Sequence, residues 1–428
     1  MYGVRLLRQR PVQVAALAVV AFLVLAFRAL QFALLTREIQ WGYDFSAYWS
    51  AAKRLLDGLP LYDAHQLAGP YSPQAQFLYL YPPPLAALVT PLAAVFPEDY
   101  RAAAWIWTAL GALILAASVL ALWRVERLGE RFPLLAGRGR WFLLAAAFAF
   151  PPVVGELVIG NVHLLLLGLL TLAWVGVRRG DARGEWVAGL AVGAAATIKV
   201  FPGLLLLWFL LTGRYRAATG VVVAAVALGL VTLPITGIDA WLQYPTVLAN
   251  LSAPVDTRDT LAPTVWLAQL VGFTLARVLV TVAGLALVAW TAMTRDTYGP
   301  ARSFAIAVAA SVLIAPALYH HYLALLVLPL LLGLSSGVAL PWLAVAYLLM
   351  WGGQQAALGD ASWIVNRLLP TAGALTLLAG LVASRAAPAA SGGERLREVE
   401  DREDGEQDPE QAQQRRLDPR STSVREDP

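Results

Sequence analysis

The chain has no cysteine among its 428 residues, and only 14% of it is charged. The first absence excludes disulfides, zinc–thiolate sites and thiol catalysis. The second, set beside 59% apolar residues, excludes an ordinary soluble globular protein. Nucleotide-handling signatures are missing as well. There is no Walker A loop, no Gly-x-Gly-x-x-Gly opening a helix after a strand, and no Gly-x-Ser-x-Gly elbow. A transferase built on this chain therefore needs a donor that arrives by another route, and lipid is the obvious one.

What is present is repeated apolar sequence in runs of about 15–24 residues, which read as transmembrane helices. The fold class is all-α and polytopic, because in lipid each backbone polar group must be paired within its own helix. The net charge of +4 resides largely in arginines clustered in short loops. That is the positive-inside pattern and not a polynucleotide groove, so the lipid bilayer is a partner and nucleic acid is not. The start, MYGVRLLRQR followed by Pro11–Leu35, has the look of a secretory signal. Its apolar core is too long for one and no small-residue cleavage site follows, so a retained first span is predicted.

Arg5, Arg8 and Arg10 assign the N-terminus to the cytoplasm, and a span over 12–35 then delivers residues 36–81 to the outer side. Within this first outer loop, Phe45, Tyr48, Trp49, Ala52, Leu55 and Leu56 recur at helical spacing, and Gly58 with Pro60 stops the helix. Such an amphipathic helix is expected to lay its aromatic side at the lipid headgroups. Pro91 and Pro97 interrupt 81–97, which is read as an interfacial or re-entrant helix. Further spans are predicted at 101–123, 141–158, 161–177, 186–198, 203–212, 217–235, 271–292, 301–317, 323–338, 341–357 and 361–383. This makes about twelve, with both termini cytoplasmic. Residues 1–383 form one membrane domain, and 384–428 is an acidic polar tail expected to be disordered in the cytoplasm.

Few residues can carry chemistry. Asp44 is either a general base at the membrane surface or the N-cap of its own helix, bonding a backbone N–H at Ser46 or Ala47. Lys199 lies in the long apolar stretch Trp186–Leu211. A lysine there either serves a phosphate in a polar cavity or snorkels to an interface between two short helices. His320 and His321 are adjacent at an outer edge. Neighbours on a helix point about 100° apart, so one faces the site and the two do not share a metal. Glu156, Asn161 and His163 form a second outer polar cluster, in which Asn161 is also suited to capping a helix. Asp256, Arg258 and Asp259 read as surface charges of the second outer loop.

Several motifs then fall in a familiar order. These are Asp44-Phe45-Ser46-Ala47-Tyr48, Leu56-Asp57-Gly58-Leu59-Pro60-Leu61-Tyr62, Tyr81-Pro82-Pro83-Pro84-Leu85, Gly160-Asn161-Val162-His163, Lys199-Val200-Phe201-Pro202 and Gly213-Arg214-Tyr215-Arg216-Ala217-Ala218. In that order they resemble glycosyltransferase family 87, the polyprenol-phosphate-mannose-dependent mannosyltransferases of the GT-C superfamily. The resemblance implies a GT-C-type bundle in the plasma (inner) membrane with its active site on the outer face. It implies transfer of a hexose, mannose, from a polyprenyl-phosphate donor to a glycolipid or glycan acceptor. It assigns the catalytic base to Asp44 and an outer-edge histidine to His320 or His321. Lys199, Asn161 and His163 are then expected to bind substrate, and Tyr48, Trp49 and Tyr62 to stack on sugars. Gly160-Asn161 stands where many relatives have Gly-Gln. A single acidic residue stands where other GT-C branches have Asp-x-Asp, so no metal and no cofactor are expected. A transporter or flippase of lipid-linked sugars is the alternative. It predicts internal repeats and charges near the midplane, whereas the polar residues here gather at the outer edge and no repeat is evident.

Overall fold

The computed structural model describes residues 2–37, 41–69, 78–251, 260–315, 317–352 and 363–384. Every regular element among them is helical and none is a strand, so the backbone polar groups are paired in the helical one of the two ways open to a chain in lipid. Residues 385–428, expected to form a disordered cytoplasmic tail, lie outside the described residues, as do Asp256, Arg258 and Asp259.

In chain order, α1 (Tyr2–Leu35) is followed by α2 (Tyr43–Leu56), the short α3 (Ala64–Leu67), α4 (Pro83–Val95), α5 (Tyr100–Val125) and the short α6 (Leu128–Arg131). Then come α7 (Arg140–Ala149), α8 (Pro151–Ile159), α9 (His163–Arg179), α10 (Ala182–Ile198), α11 (Leu205–Leu211) and α12 (Tyr215–Leu251). The last group is α13 (Pro263–Val271), α14 (Phe273–Met293), α15 (Arg295–Leu313), a 3-10 segment His320–Leu326, α16 (Val327–Ser335), α17 (Leu340–Leu349) and α18 (Leu369–Ala383).

Among the described residues five helices are long and apolar enough to cross a membrane: Val14–Leu35, Tyr100–Val125, Tyr215–Asn250, Phe273–Met293 and Ile364–Ala383. Counting the bent pair Gly137–Ala149 and Pro151–Ile159 as one span makes six. Helix length and composition thus support fewer crossings than the twelve expected, because much of the apolar sequence is divided into shorter pieces. The break in the predicted span 141–158 has a plain cause. Pro151 lacks an N–H and drives Phe150 to an extended ψ of 117°, bending the two helices by 61°. The helix α4 has 13 residues and would reach only about 20 Å at 1.5 Å per residue, too short to span.

The amphipathic helix expected after the first span is α2, and its end is built as the sequence indicates. Gly58 adopts φ 68°, Leu59 N–H reaches back to Arg54 C=O at 2.8 Å, and Gly58 N–H reaches Leu55 C=O at 3.2 Å. This is a Schellman closure. Its aromatic face does not lie on lipid, however. Phe45, Ala47, Tyr48, Ala51 and Ala52 are buried within the protein, and α2 packs on α4. The apolar stripe that looked interfacial is a helix–helix seam.

Candidate active site

Two left-handed glycines position the site. Gly42 (φ 69°) opens α2 and Gly160 (φ 69°) closes α8. Gly42 N–H donates to Val158 C=O at 2.7 Å, Tyr100 hydroxyl donates to Gly42 C=O at 2.5 Å, and Trp107 Nε1 donates to Gly160 C=O at 2.9 Å. A Cβ on Gly160 would stand 2.8 Å from Phe45 Cβ, and one on Gly42 would stand 2.3 Å from the Tyr100 hydroxyl. Neither turn admits another residue without strain or collision. Locked together, they place the second residue of α2, Asp44, against the residue after Gly160, Asn161.

Asn161 Nδ2 donates to Asp44 Oδ2 at 2.6 Å and lies 3.1 Å from the Tyr81 hydroxyl and 3.3 Å from His321 Nε2. Its Oδ1 accepts Val162 N–H at 2.6 Å, which fixes the orientation of the amide. His321 Nε2 is 3.7 Å from Asp44 Oδ2. On the other side of Tyr81, Lys199 Nζ is 3.4 Å from its hydroxyl, 3.0 Å from His163 Nε2 and 3.7 Å from the centroid of the Tyr322 ring. His163 Nδ1 meets Glu156 Oε2 at 2.9 Å, and Glu156 Oε1 accepts the His163 backbone N–H at 2.5 Å. The result is a continuous polar chain across five segments: Asp44, Asn161, Tyr81, Lys199, His163 and Glu156, with His321 beside its first two members.

The helix-cap role for Asp44 does not hold. The N-cap of α2 is Gly42, without a side-chain cap bond, and the carboxylate turns to Asn161 instead. Its side chain keeps 23% exposure, so one face of the carboxylate is open. Burial holds the Asp44 carboxyl above the usual range, while the Asn161 hydrogen bond and the charge on Lys199 pull it back. Burial pushes Lys199 down, opposed by the charges of Glu156 and Asp44. Burial, then the Lys199 charge, pushes His321 well below its ordinary value, so it is neutral at physiological pH.

The histidine pair separates as expected, for a slightly different reason. Residues 320–326 are 3-10, in which neighbours diverge by about 120°. His320 Nε2 lies 3.0 Å from Met350 C=O and faces away from the cluster, while His321 faces Asp44. Of the other expected site residues, Lys199, Asn161 and His163 join the cluster. Tyr48 is fully buried under it, edge-on to Tyr81 at 5.0 Å. Tyr62 is buried with its hydroxyl on Tyr81 C=O at 2.8 Å and its ring stacked between Tyr79 and Tyr244. Trp49 packs on Tyr100 at 5.6 Å beneath the Lys53 ammonium. None of these three rings presents a face to the polar cluster.

Two members, Tyr81 and Tyr322, were not singled out from the sequence: Tyr81 opens the Tyr-Pro-Pro-Pro motif and Tyr322 follows the histidine pair. Glu156 was grouped with Asn161 and His163 but given no role in the site. Glu156 carried a signal, since a carboxyl seven residues before a histidine across a glycine turn implies a partner.

Glu156, His163 and His321 are the metal-capable group found among the described residues, their donor atoms lying within 4.8 Å of one another. Both Glu156 oxygens are engaged by His163, and an ammonium already stands 3.0 Å from His163 Nε2. A divalent cation there would have to displace Lys199, so the residues fit an ammonium better than a metal.

Beside the cluster a cavity of about 450 Å³ runs between α4, α5 and α9. Its lining includes Leu88, Leu92, Ile106, Leu110 and Leu164, together with Glu156, Gly160 and Asn161 from the cluster. Leu88, Ile106 and Leu110 are among its exposed apolar side chains, so it faces the surroundings that lipid would occupy.

Fold and site together define an all-helical multi-pass membrane protein with one polar centre joined to an apolar groove. The chain belongs to glycosyltransferase family 87, whose family match covers residues 79–316. It is 29% identical over 197 residues to an alpha-(1->3)-arabinofuranosyltransferase of Mycobacterium tuberculosis, a stretch covering 45% of this chain and 41% of the relative. It is also 29% identical over 206 residues to an alpha-(1->3)-arabinofuranosyltransferase of Corynebacterium glutamicum, covering 47% of this chain and 43% of the relative. The matched stretch thus spans less than half the length of these relatives. No solved structure matches the chain.

Proposed function

We propose that the protein transfers a glycosyl unit from a polyprenyl-phosphate donor to a glycolipid or glycan acceptor on the outer face of the membrane, with Asp44 as general base. The observation that carries this reading is an Asp44 carboxylate, oriented by Asn161 and open on one face, in the same cluster as a lysine ammonium. Asp44 takes the proton of the acceptor hydroxyl as that oxygen attacks the anomeric carbon. The polyprenyl phosphate leaves from the opposite face, with inversion. Lys199 is the point charge for the leaving phosphate, and the neutral His321 adds a hydrogen-bonding edge. The groove between α4 and α5 suits the first isoprene units of the donor, because its lining is mostly apolar and includes Asn161 of the cluster.

The sugar is the finer question. The family resemblance pointed to mannose, whereas the relatives in hand are named arabinofuranosyltransferases, which supports arabinofuranose as the unit transferred. Purified protein offered polyprenyl-phosphate arabinofuranose and polyprenyl-phosphate mannose in parallel, with envelope glycolipids as acceptors, tests this by mass spectrometry of the products. An added pentose is the expected result and an added hexose reassigns the donor sugar. Transfer from neither donor, with movement of the intact lipid-linked sugar across vesicles, supports the flippase alternative instead.

A further inference from the structure

Three features lie outside the reaction as drawn: the buried Arg302 at the far end of the bundle, the exposed apolar face of α14, and the Glu156–His163 pair. Arg302 binds only backbone carbonyls, and nothing in the structure shows what covers α14. The Glu156–His163 pair has a direction to it. Glu156 is 1% exposed and His163 is 0% exposed, so neither has water to turn to. Glu156 receives both the backbone N–H and the ring Nδ1 of His163. A carboxylate at 2.9 Å makes Nδ1 the protonated nitrogen, which leaves Nε2 with its lone pair exposed. That lone pair points at Lys199 Nζ, 3.0 Å away.

We propose that Glu156 is a positioning residue which, by setting the tautomer of His163, holds the Lys199 ammonium aimed at the phosphate of the lipid donor. The proposal rests on the glycosyl-transfer reading and names the residues that make its phosphate contact. The geometry is economical. Lys199 follows α10 and is half-buried, and a lysine stem has four rotatable bonds. Three donors must be satisfied, and the groups that face them are the Tyr81 hydroxyl, His163 Nε2 and the Tyr322 ring, with Phe201 at 6.0 Å. The Tyr81 hydroxyl and His163 Nε2 each face one N–H, and the third is held only by the Tyr322 ring face, so it is the one a phosphate would take. An acceptor at Nε2 is the part of this cage that depends on a remote residue. With Glu156 uncharged, the imidazole is free to carry its proton on Nε2 and to turn a donor towards the ammonium.

The test is a cycle of Glu156→Gln, Lys199→Met and the double variant, read in two assays. One is binding of polyprenyl phosphate without sugar, followed by quenching of tryptophan fluorescence in detergent. The other is transfer, with KM for donor separated from kcat. Glu156→Gln is expected to weaken polyprenyl-phosphate binding and raise donor KM about tenfold, with kcat within threefold of wild type, as befits loss of one oriented charge contact. Added to Lys199→Met it should cost nothing further, because the path it serves is gone. Should Glu156→Gln not fold, His163→Gln keeps a partner for Glu156 while removing the imidazole, and the same KM rise is expected. Equal losses in the presence and absence of Lys199, or a loss of thermal stability with unchanged donor KM, would overturn the proposal. If no sugar is transferred by wild type but Glu156→Gln still weakens polyprenyl-phosphate binding, the positioning role stands and the transfer reading fails.

Discussion

Both ends of the helix bundle bury charge, and they dispose of it in different ways. At the end away from the site, Arg302 is fully buried and donates to Ser336 C=O at 2.5 Å and to Ser384 C=O, the carbonyls that close α16 and α18. Arg131 likewise donates to Ser335 C=O. Glu126, also buried, accepts from Trp174 Nε1 at 2.9 Å and faces Arg178 at 3.2 Å. These charges end helices or tie them together. At the site end the partners are other side chains, drawn from α2, the Tyr-Pro-Pro-Pro turn, α8, α9 and the end of α10. The cation of the site is a lysine, Lys199, whereas the fully buried cation of the far end is an arginine, Arg302. Arginine's fixed fork suits carbonyls that never change, while lysine's compact ammonium can meet a phosphate and can lose its proton. A buried charge bonded to backbone is structural by its geometry. One bonded to a ring of other side chains, with a face still open, is placed to act.

The contrast can be broken at either end. Replacing Arg302 with Leu leaves two partly buried carbonyls without their donor, at up to about 1–3 kcal/mol each, so the expected result is a drop in melting temperature of a few degrees. Turnover per folded molecule should be unchanged, and a selective loss of turnover would erase the distinction. Lys199→Met should act oppositely, with donor affinity falling about 10–100-fold through loss of a charged contact and melting unchanged or raised. Titration of donor against both proteins decides it.

A smaller effect sharpens the electrostatics. Asp44 must be ionised to act as base, and burial raises its carboxyl, so activity is lost as pH falls through that raised value. The Asn161 bond favours the ionised form. Asn161→Ala is therefore expected to move the acid limb of kcat/KM to higher pH, and a downward move would mean that the amide does not support the carboxylate. The smallest effect belongs to the groove. A Cβ on Gly111 would lie 3.3 Å from Leu164 Cδ1, so Gly111→Leu should narrow the cavity and raise donor KM a few-fold. The rise should be greater for long polyprenyl donors than for short ones.

Much of the site was legible in the chain, and its failures are instructive. Asp44, Lys199 and the His320–His321 pair stood out because each is polar where its neighbours are apolar, and burial of such groups demands partners. The sequence did not reveal that the aromatic stripe of α2 meets α4 and not lipid, since an apolar face has the same spacing whichever apolar surface covers it. Tyr48 and Tyr62 were read as sugar platforms on the same ground, and a tyrosine ring looks alike in sequence whether it is open or stacked. Tyr81 was hidden in a proline motif whose hydroxyl only matters once Gly42 and Gly160 bring distant turns together. The count of twelve spans is not confirmed, and Pro151 shows one reason, since it divides the predicted span 141–158 into two short helices.

The most direct test of the account is turnover of Asp44→Asn with a polyprenyl-phosphate sugar that wild type uses. The substitution keeps a side chain of nearly the same size beside Asn161 and removes only the base. Turnover is predicted to fall on the order of a hundredfold or more, with donor binding and melting temperature preserved. Wild-type turnover in the Asn variant would contradict it and remove Asp44 from the chemistry.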